Sequence, residues 1–576
     1  MYCLSFSSRK KITIFGFLFI FIFSFIVCDV FAFDPSLPNN KFGIHLAVSD
    51  REDLINAADL VNSSGGEWGY VTVVIQENDQ DKKKWQAVFD QMRKLKLIPI
   101  IRLATQPQGN NWEIPSVDDI GGWVDFLDSL NWVVKDRYVI LFNEPNHASE
   151  WGGKIDPEEY AEISYELSKR LKEKNQNYFI MLAGFDASAP QSAPNYADEA
   201  LYLNKIIQKK PELFSENLIA GLSSHSYPNP GFLGNPYDRG RGSVSTYDWE
   251  LSFLKSLGIQ NALPVFITET GWPHSENINS SVVGERLRIA YESIWLNDQR
   301  VRAVTPFILN YQTDPFLDFS WKKQNSQDFY DQFNIVKNLT KIKGNPEQVL
   351  KASIKHTLPK EILVNSSYRF KINILNSGQS ILDANDGYRL EIENNNDIIK
   401  DYIFSNIDEV LPGHETEIDF YFKTSNQLGQ KNIDIILLRN DKKIAEKKWS
   451  FELEPLPKLN FDLNLFPKLN DTISDVEIQF FDEDEKLVFK KSGLVAIKGK
   501  GNLDGIKNIY LGGEYRVVVL APYYLPRQVH FVLNKKETDI KFKFLLPLDF
   551  DKDGNFDFQD IWALIKKPGL LSLFRF

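Results

Sequence analysis

The sequence predicts an α/β chain: a (β/α)8 barrel followed by two all-β, sandwich-like modules and a short acidic loop near the C-terminal end. Three observations carry that expectation. Between residues 40 and 336, eight short apolar runs alternate with amphipathic helical stretches. Beyond about residue 343 the helical period gives way to alternating strand patterns with Asn, Asp and Gly turns. Two glutamates, Glu144 and Glu269, each stand at the end of an apolar run.

The eight runs cover residues 42–46, 70–75, 98–103, 138–142, 179–183, 219–223, 265–268 and 304–309, with helices expected between them at 84–95, 157–174 and 283–296. Short, continuously apolar runs suit strands buried on both faces, as in a parallel sheet. An open doubly wound sheet would want a glycine-rich phosphate turn after the first strand, and none is present. The domain boundaries read as 1–32 leader, 33–343 barrel, 344–455 β-sandwich, 456–546 second β module, 547–567 calcium-type loop and 568–576 tail. Glu454-Pro455-Leu456-Pro457 reads as the linker between the β modules.

At 576 residues the chain has ample length for a large barrel and further domains. Its 66 Lys and Arg against 77 Asp and Glu give a net charge of -11, and with no basic stretch beyond the leader and scattered lysine clusters, nucleic acid is not an expected partner. A monomer is expected. Arg9, Lys10 and Lys11 precede an apolar run from Ile12 to Cys28, followed by Val30-Phe31-Ala32. That is the layout of an export signal cleaved after Ala32, with an uncleaved membrane anchor as the alternative. Both cysteines, Cys3 and Cys28, fall in this leader, so the exported domains would have no disulfide and no thiol chemistry.

The paired carboxylates point to glycosidic bond cleavage, which needs one group to protonate the leaving oxygen and another to face the developing oxocarbenium centre. By strand count Glu144 follows the fourth strand and Glu269 the seventh, which in a barrel brings both to the rim where active sites sit. Asn143 precedes Glu144 and is placed to bond a sugar 2-hydroxyl. His225 and Tyr227 emerge on one side of the sixth strand, where a tyrosine hydroxyl can hold an ionised nucleophile. Trp272, Trp112 and Trp151 offer apolar plates for a sugar ring. No His-Glu-x-x-His or similar ligand spacing occurs in the barrel, so no catalytic cofactor is expected.

Asn143-Glu144-Pro145, His225-Ser226-Tyr227 and Thr268-Glu269-Thr270-Gly271-Trp272-Pro273 resemble the signatures of clan A glycoside hydrolases, over about residues 38 to 340. The first two elements resemble family 5, and the third is similar to families 17, 39 and 53. The resemblance implies a TIM barrel and a retaining double displacement on a β-linked polysaccharide or oligosaccharide. It implies Glu144 as acid/base, Glu269 as nucleophile, Asn143 as the 2-hydroxyl partner, Tyr227 as the group orienting Glu269, and His225 as a substrate-binding group. The clan often places an Arg at the end of strand two, whereas here the corresponding candidate is Arg102, after the third run. Family 5 carries a Trp at the end of strand eight, where this chain has Asn310-Tyr311. A transglycosylase on the same barrel and a non-catalytic sugar-binding envelope protein remain open as alternatives.

Residues 549–560 place Asp549, Asp551, Asp553, Asn555, Asp557 and Asp560 at positions 1, 3, 5, 7, 9 and 12 of an EF-hand loop, with Gly554 at position 6. Oxygen ligands at that spacing wrap calcium, and a helix is expected to follow from Ile561. The Asp at the final position resembles a dockerin repeat, which implies a cohesin-like or cell-surface partner; a structural calcium clip is the other reading.

Overall fold

The computed structural model describes residues 38–569 apart from 275–277, 467, 470, 471 and 535–538, together with 574–575. The expected leader lies outside the described residues. Among the described residues no helix is long and apolar enough to cross a membrane.

Eight parallel strands form one sheet in sequential order: β1 Gly43–Leu46, β2 Gly69–Gln76, β3 Leu97–Ala104, β4 Arg137–Leu141, β5 Tyr178–Leu182, β6 Ile219–His225, β7 Val265–Glu269 and β8 Val301–Val304. The seam between β8 and β1 carries a single bridge, Phe42 with Val304, so the barrel is nearly closed. The chain then leaves the ladder. Residues 305–309 are irregular, and their amides bond across to neighbours, Thr305 N–H to Ile267 O at 2.8 Å and Leu309 N–H to His45 O at 3.0 Å. The eighth strand therefore lies earlier than the apolar run 304–309 suggests, because Pro306 brings no amide donor to a ladder.

Helices return the chain between strands: α1 Arg51–Val61, α2 Lys82–Lys94, α3 Ile120–Ser129, α4 Pro157–Lys174, α5 Glu199–Lys209, α6 Thr246–Ser256, α7 Ser280–Ala290 and α8 Asp331–Lys337. Their starts are written in the sequence. Asp50, Asp81, Asp156, Asp198 and Asn279 each accept a backbone N–H of the first turn, and Pro157 takes the position where a missing donor costs nothing. In α2, Trp85, Phe89 and Met92 recur at helical spacing and are buried against the barrel.

The barrel interior is filled in layers. Tyr70, Tyr138, Phe179 and Phe266 come from β2, β4, β5 and β7 and interlock ring against ring at 5.1–6.2 Å. β2 and β7 are not neighbours in the sheet, so their rings meet across the interior. Above them Thr72 bonds Thr305 at 2.9 Å and Ser223 bonds Thr268 at 2.7 Å. These buried hydroxyls satisfy one another and separate the aromatic floor from the charged rim.

The β-sandwich pairs two four-stranded sheets. One has the order β9 (Ala352–His356), β11 (Ser367–Asn376), β14 (Glu415–Thr424), β13 (Ile399–Phe404). The other has β10 (Glu361–Leu363), β16 (Lys442–Glu454), β15 (Gly429–Arg439), β12 (Tyr388–Glu393). Phe420, Phe422, Trp449 and Phe451 fill the space between them. The sandwich is fixed to segments that precede β4: Gln379 Nε2 donates to Val134 O at 2.9 Å and Asn131 Nδ2 to Gly378 O at 3.0 Å. It thus sits at the end of the barrel opposite the rim that carries Glu144 and Glu269.

The last β module is a seven-stranded sheet built from Leu459–Leu465, Thr472–Phe481, Leu487–Ile497, Lys500–Leu503, Glu514–Ala521, Tyr524–Val532 and Asp539–Leu545. It curls, with Arg527 donating to Phe544 O across its outer strands at 2.8 Å. Tyr368 OH donates to Ile509 O at 2.8 Å and ties it to the sandwich. Leu456, in the expected linker, packs against both cores.

Candidate active site

The rim of the barrel encloses a cavity of about 460 Å³ lined by Arg102, Asn143, Glu144, Tyr227 and Glu269 among others. Glu269 ends β7 and is 8% exposed. Arg102, on β3, donates through one guanidinium nitrogen to Glu269 Oε1 at 2.6 Å and to Asn143 Oδ1 at 2.7 Å. The strand count that placed Arg102 on the third strand is right, and the side chain reaches the carboxylate from there. Tyr227 OH donates to Glu269 Oε2 at 3.0 Å. Burial works to raise the Glu269 carboxyl, but the charges of His225 and Arg102 and the Tyr227 hydrogen bond outweigh it and hold the group below the ordinary carboxylate range. His45 lies 3.7 Å from Glu269 Oε1, yet burial and the neighbouring Arg102 drive it down to about 3, so it is neutral and lends no charge.

Glu144 sits one turn past β4, where the backbone is folded back sharply. Phe142 has φ 70° and Glu144 has φ 32°, left-handed values that cost roughly 1–3 kcal/mol each in a non-glycine residue and persist where surrounding contacts impose them. Glu144 N–H bonds Gly184 O at 3.2 Å and its own carbonyl accepts from His147 N–H at 2.8 Å. His225 Nδ1 lies 2.7 Å from Glu144 Oε1 and 3.9 Å from Glu269 Oε2. Those oxygens are therefore no farther apart than the two distances end to end, about 6.6 Å. His225 is thus a bridge between the carboxylates rather than a wall for substrate. Burial lowers its pKa, the charges and hydrogen bond of Glu269 and Glu144 raise it more, and the ring ends above its ordinary value. Its imidazole rests on the α-carbon of Gly184, where a β-carbon would overlap the ring.

Of the three tryptophans expected as sugar plates, Trp112 fits: it is half-buried on the small hairpin Pro107–Gln108 and Asn111–Trp112 and borders the cavity. Trp272 does not. It is 2% exposed, donates its indole N–H to Gly234 O at 2.9 Å, and serves to pin the loop after β6. Trp151 borders the cavity but is almost wholly buried; its indole N–H bonds Glu159 and its ring packs edge-on against Phe142. The apolar wall is built instead by phenylalanines. Phe232, Phe307, Phe316 and Phe319 interlock edge to face with one another and with Tyr227 at 5.0–6.1 Å. The residue reaching the cavity from the end of the eighth strand is Phe307, not Asn310 or Tyr311. Asn310 turns away to Asp53, donating to both its oxygens at 3.1 Å.

Among the polar residues of the pocket that sequence reasoning missed are Glu150, His147 and Asp186. Glu150 accepts from Asn143 Nδ2 at 3.2 Å, and His147 pairs with Asp186 at 2.9 Å. All three border the cavity. The signal available was position alone, since 147 and 150 lie in the loop after β4 and 186 in the loop after β5, on the rim where sites gather.

At the C-terminal loop, carboxylate oxygens of Asp549, Asp551 and Asp553 lie within 4.8 Å of one another. Asp549 is buried and its Oδ1 has no hydrogen-bond partner, which leaves an orphan oxygen of the kind a cation satisfies. Asp557 and Asp560 are turned to the backbone instead. Asp557 caps the helix Phe558–Lys566, and Asp560 accepts from the N–H groups of Phe550, Asp551 and Asp557. The helix begins earlier than Ile561. Asn555 N–H donates to Asp553 at 2.8 Å.

No family model and no curated protein matches the chain. Among solved structures it is similar to a triple mutant of the endo-β-1,4-glucanase from Xanthomonas axonopodis pv. citri (15% identity, 52% of this chain, 98% of that one, TM-score 0.37). It is similar also to a family 39 glycoside hydrolase from Bacteroides cellulosilyticus WH2 (13% identity, 68% of this chain, 82% of that one, TM-score 0.36). A third is a monomeric β-xylosidase from Caulobacter crescentus CB15 (12% identity, 84% of this chain, 94% of that one, TM-score 0.36). At these identities and scores, none of the likenesses transfers a substrate or a mechanism to this chain.

Proposed function

We propose that this chain is a glycoside hydrolase that cleaves a β-linked polysaccharide or oligosaccharide by a retaining double displacement. The observation that carries the reading is the convergence of Glu144 and Glu269 on one histidine, with oxygens at most about 6.6 Å apart inside a cavity of sugar dimensions. Retaining enzymes hold their carboxyls roughly 5–5.5 Å apart, and inverting enzymes need about 6.5–9.5 Å to admit a water. In the first step the Glu269 carboxylate adds to the anomeric carbon as the glycosidic C–O bond breaks, and Glu144 gives its proton to the departing oxygen. That leaves a glycosyl ester on Glu269. In the second step Glu144, now a carboxylate, takes a proton from water whose oxygen displaces Glu269, and both carboxyl groups are restored. Arg102 and Tyr227 keep Glu269 ionised and aimed, and the phenylalanine wall with Trp112 gives the sugar ring apolar faces to lie against.

The test is a screen of β-glucans, mannans, xylan and galactans, scored by released reducing ends, with wild type beside Glu269→Gln and Glu144→Gln. Glu269→Gln should abolish turnover. Glu144→Gln should lose natural substrates yet spare aryl glycosides whose leaving groups need no proton. Equal loss on both substrate types would remove Glu144 from the role of acid.

The reading extends to export with removal of the leader after Ala32, which the mass of the mature N-terminal peptide from the native host would check. It extends also to calcium at the C-terminal loop through Asp549, Asp551 and Asp553. Added calcium should raise the melting temperature and a chelator should reverse it; no change with either would remove the site. Docking of this end on a cohesin-like or cell-surface partner is tested by pull-down with and without residues 547–576.

A further inference from the structure

Glu150 is a third carboxylate of the pocket, and the two-step reaction leaves it without a task. It ends the single turn Ala148–Glu150 in the loop after β4 and lines the same cavity as Glu144 and Glu269. Its Oε2 accepts from Asn143 Nδ2 at 3.2 Å, while the oxygen of that amide is taken by Arg102. The pocket's cations are already engaged. Arg102 is on Glu269, His225 lies between the two catalytic carboxylates, and His147 is on Asp186. Among the described residues no Lys, Arg or His forms an ion pair with Glu150, nor with Glu113, which borders the same cavity. Burial, and then the nearby Glu144, push the Glu150 carboxyl up to about 7 against the pull of the Asn143 hydrogen bond and of Arg102 and His147.

Five carboxyl groups, Glu113, Glu144, Glu150, Asp186 and Glu269, line the cavity against two basic side chains, Arg102 and His147, so the wall offers carboxylate oxygens in excess. Its complement is a ligand rich in hydroxyl donors and free of negative charge. We propose that Glu150 is a specificity-determining residue: it accepts hydroxyl hydrogen bonds from the sugar beside the bond being cut and sets the pocket against sugars bearing a carboxylate. The substrates are then neutral β-glycosides, with uronides excluded. This rests on the glycoside hydrolase reading and deepens it.

The experiment compares kcat/KM at pH 8, where Glu150 is largely ionised, for aryl β-glycosides that share one leaving group, a neutral series of hexosides and pentosides against the hexuronide, on wild type, Glu150→Gln and Glu150→Asp. Wild type should turn over the best neutral glycoside at least about 100-fold faster than the uronide. Glu150→Gln should lose tenfold or more on the neutral substrate, chiefly in KM, and narrow the ratio by at least tenfold. Glu150→Asp, which keeps the charge, should keep most of the discrimination. A wild type that accepts the uronide as readily as the neutral glycosides overturns the proposal, and that measurement decides alone if Glu150→Gln fails to fold. A ratio unchanged within threefold in Glu150→Gln overturns it as well and leaves the hydrolase reading intact. A wild type inactive on every glycoside overturns both.

Discussion

Replacing Arg102 by methionine keeps most of the side-chain volume and deletes the cation that holds Glu269. The guanidinium lies 2.6 Å from Glu269 Oε1, at a carboxylate only 8% exposed. A hydrogen bond to a charged group contributes about 1.5–3 kcal/mol net, which is roughly a 10- to 150-fold loss in kcat/KM. The pH profile adds a direction. Glu269 is held below its ordinary range against the pull of burial, so removing Arg102 lets burial act and raises its pKa. The acid limb of kcat/KM, which reports ionisation in the free enzyme, should move to higher pH. Stability follows the same sign. A carboxyl depressed in the folded state contributes stability that is present above its unfolded pKa, near 4.5, and lost as pH falls through the lower folded value. Arg102→Met should therefore lower the melting temperature more at pH 7 than at pH 3. Rates on an aryl glycoside from pH 3 to 8, with thermal melts in the same buffers, measure both. A variant within threefold of wild type with an unmoved acid limb would refute the assignment of Arg102 as the partner that keeps Glu269 charged.

Three further outcomes follow from the same geometry. Tyr227→Phe removes the hydroxyl donated to Glu269 but keeps a ring packed at 5.0 Å on Phe232, so kcat should fall about 5- to 30-fold with the melting temperature within a few degrees; a larger loss of stability than of rate would contradict it. Gly184→Ala would drive the His225 ring off its seat between the carboxylates, and rate measurements should show at least a tenfold drop on every substrate, whereas a fully active variant would show that the bridge is dispensable. Glu199 and Glu250 are wholly buried side by side, near His225, Arg241 and Asp186, with Glu250 pushed by burial up to about 7 and Glu199 raised by burial and by Glu250. Carboxyls raised on folding stabilise less as pH climbs from about 4.5 toward 7, so Glu250→Gln should gain on the order of 2 kcal/mol at pH 8 and little at pH 4, read from melts at the two pH values. A gain independent of pH would argue that the pair does not share a proton.

The strands were legible because a parallel sheet covered on both faces is mostly apolar along its length, and 42–46, 98–103 and 265–268 are short, mostly apolar runs in which the polar exceptions, such as His45 and Arg102, sit near the C-terminal end that faces the rim. Glu144 and Glu269 were legible for the opposite reason, as carboxylates ending such runs with no basic neighbour in sequence. The cation that serves Glu269 comes from β3, 167 residues away, and only the closed sheet brings it there. Strand eight was misplaced because Val304–Leu309 is as apolar as a strand, although Pro306 and cross-bonds to His45 and Ile267 break its ladder. Trp272 misled because an indole is equally suited to a sugar and to a core, and the acceptor that decided, Gly234 O, belongs to another loop. Glu150, His147 and Asp186 carry no local mark in the sequence, since nothing there distinguishes a charged side chain facing water from one facing a pocket.

A 2-deoxy-2-fluoro glycoside with an activated leaving group gives the most direct test, because the electron-poor ring forms the glycosyl ester and then releases it slowly. Peptide mass mapping of the inactivated enzyme should find one added fluorosugar on the peptide carrying Glu269, and none in Glu269→Gln. An adduct on Glu144, Glu150 or any other residue, or turnover yielding the inverted anomer with no adduct, would contradict the assignment of Glu269 as the attacking carboxylate.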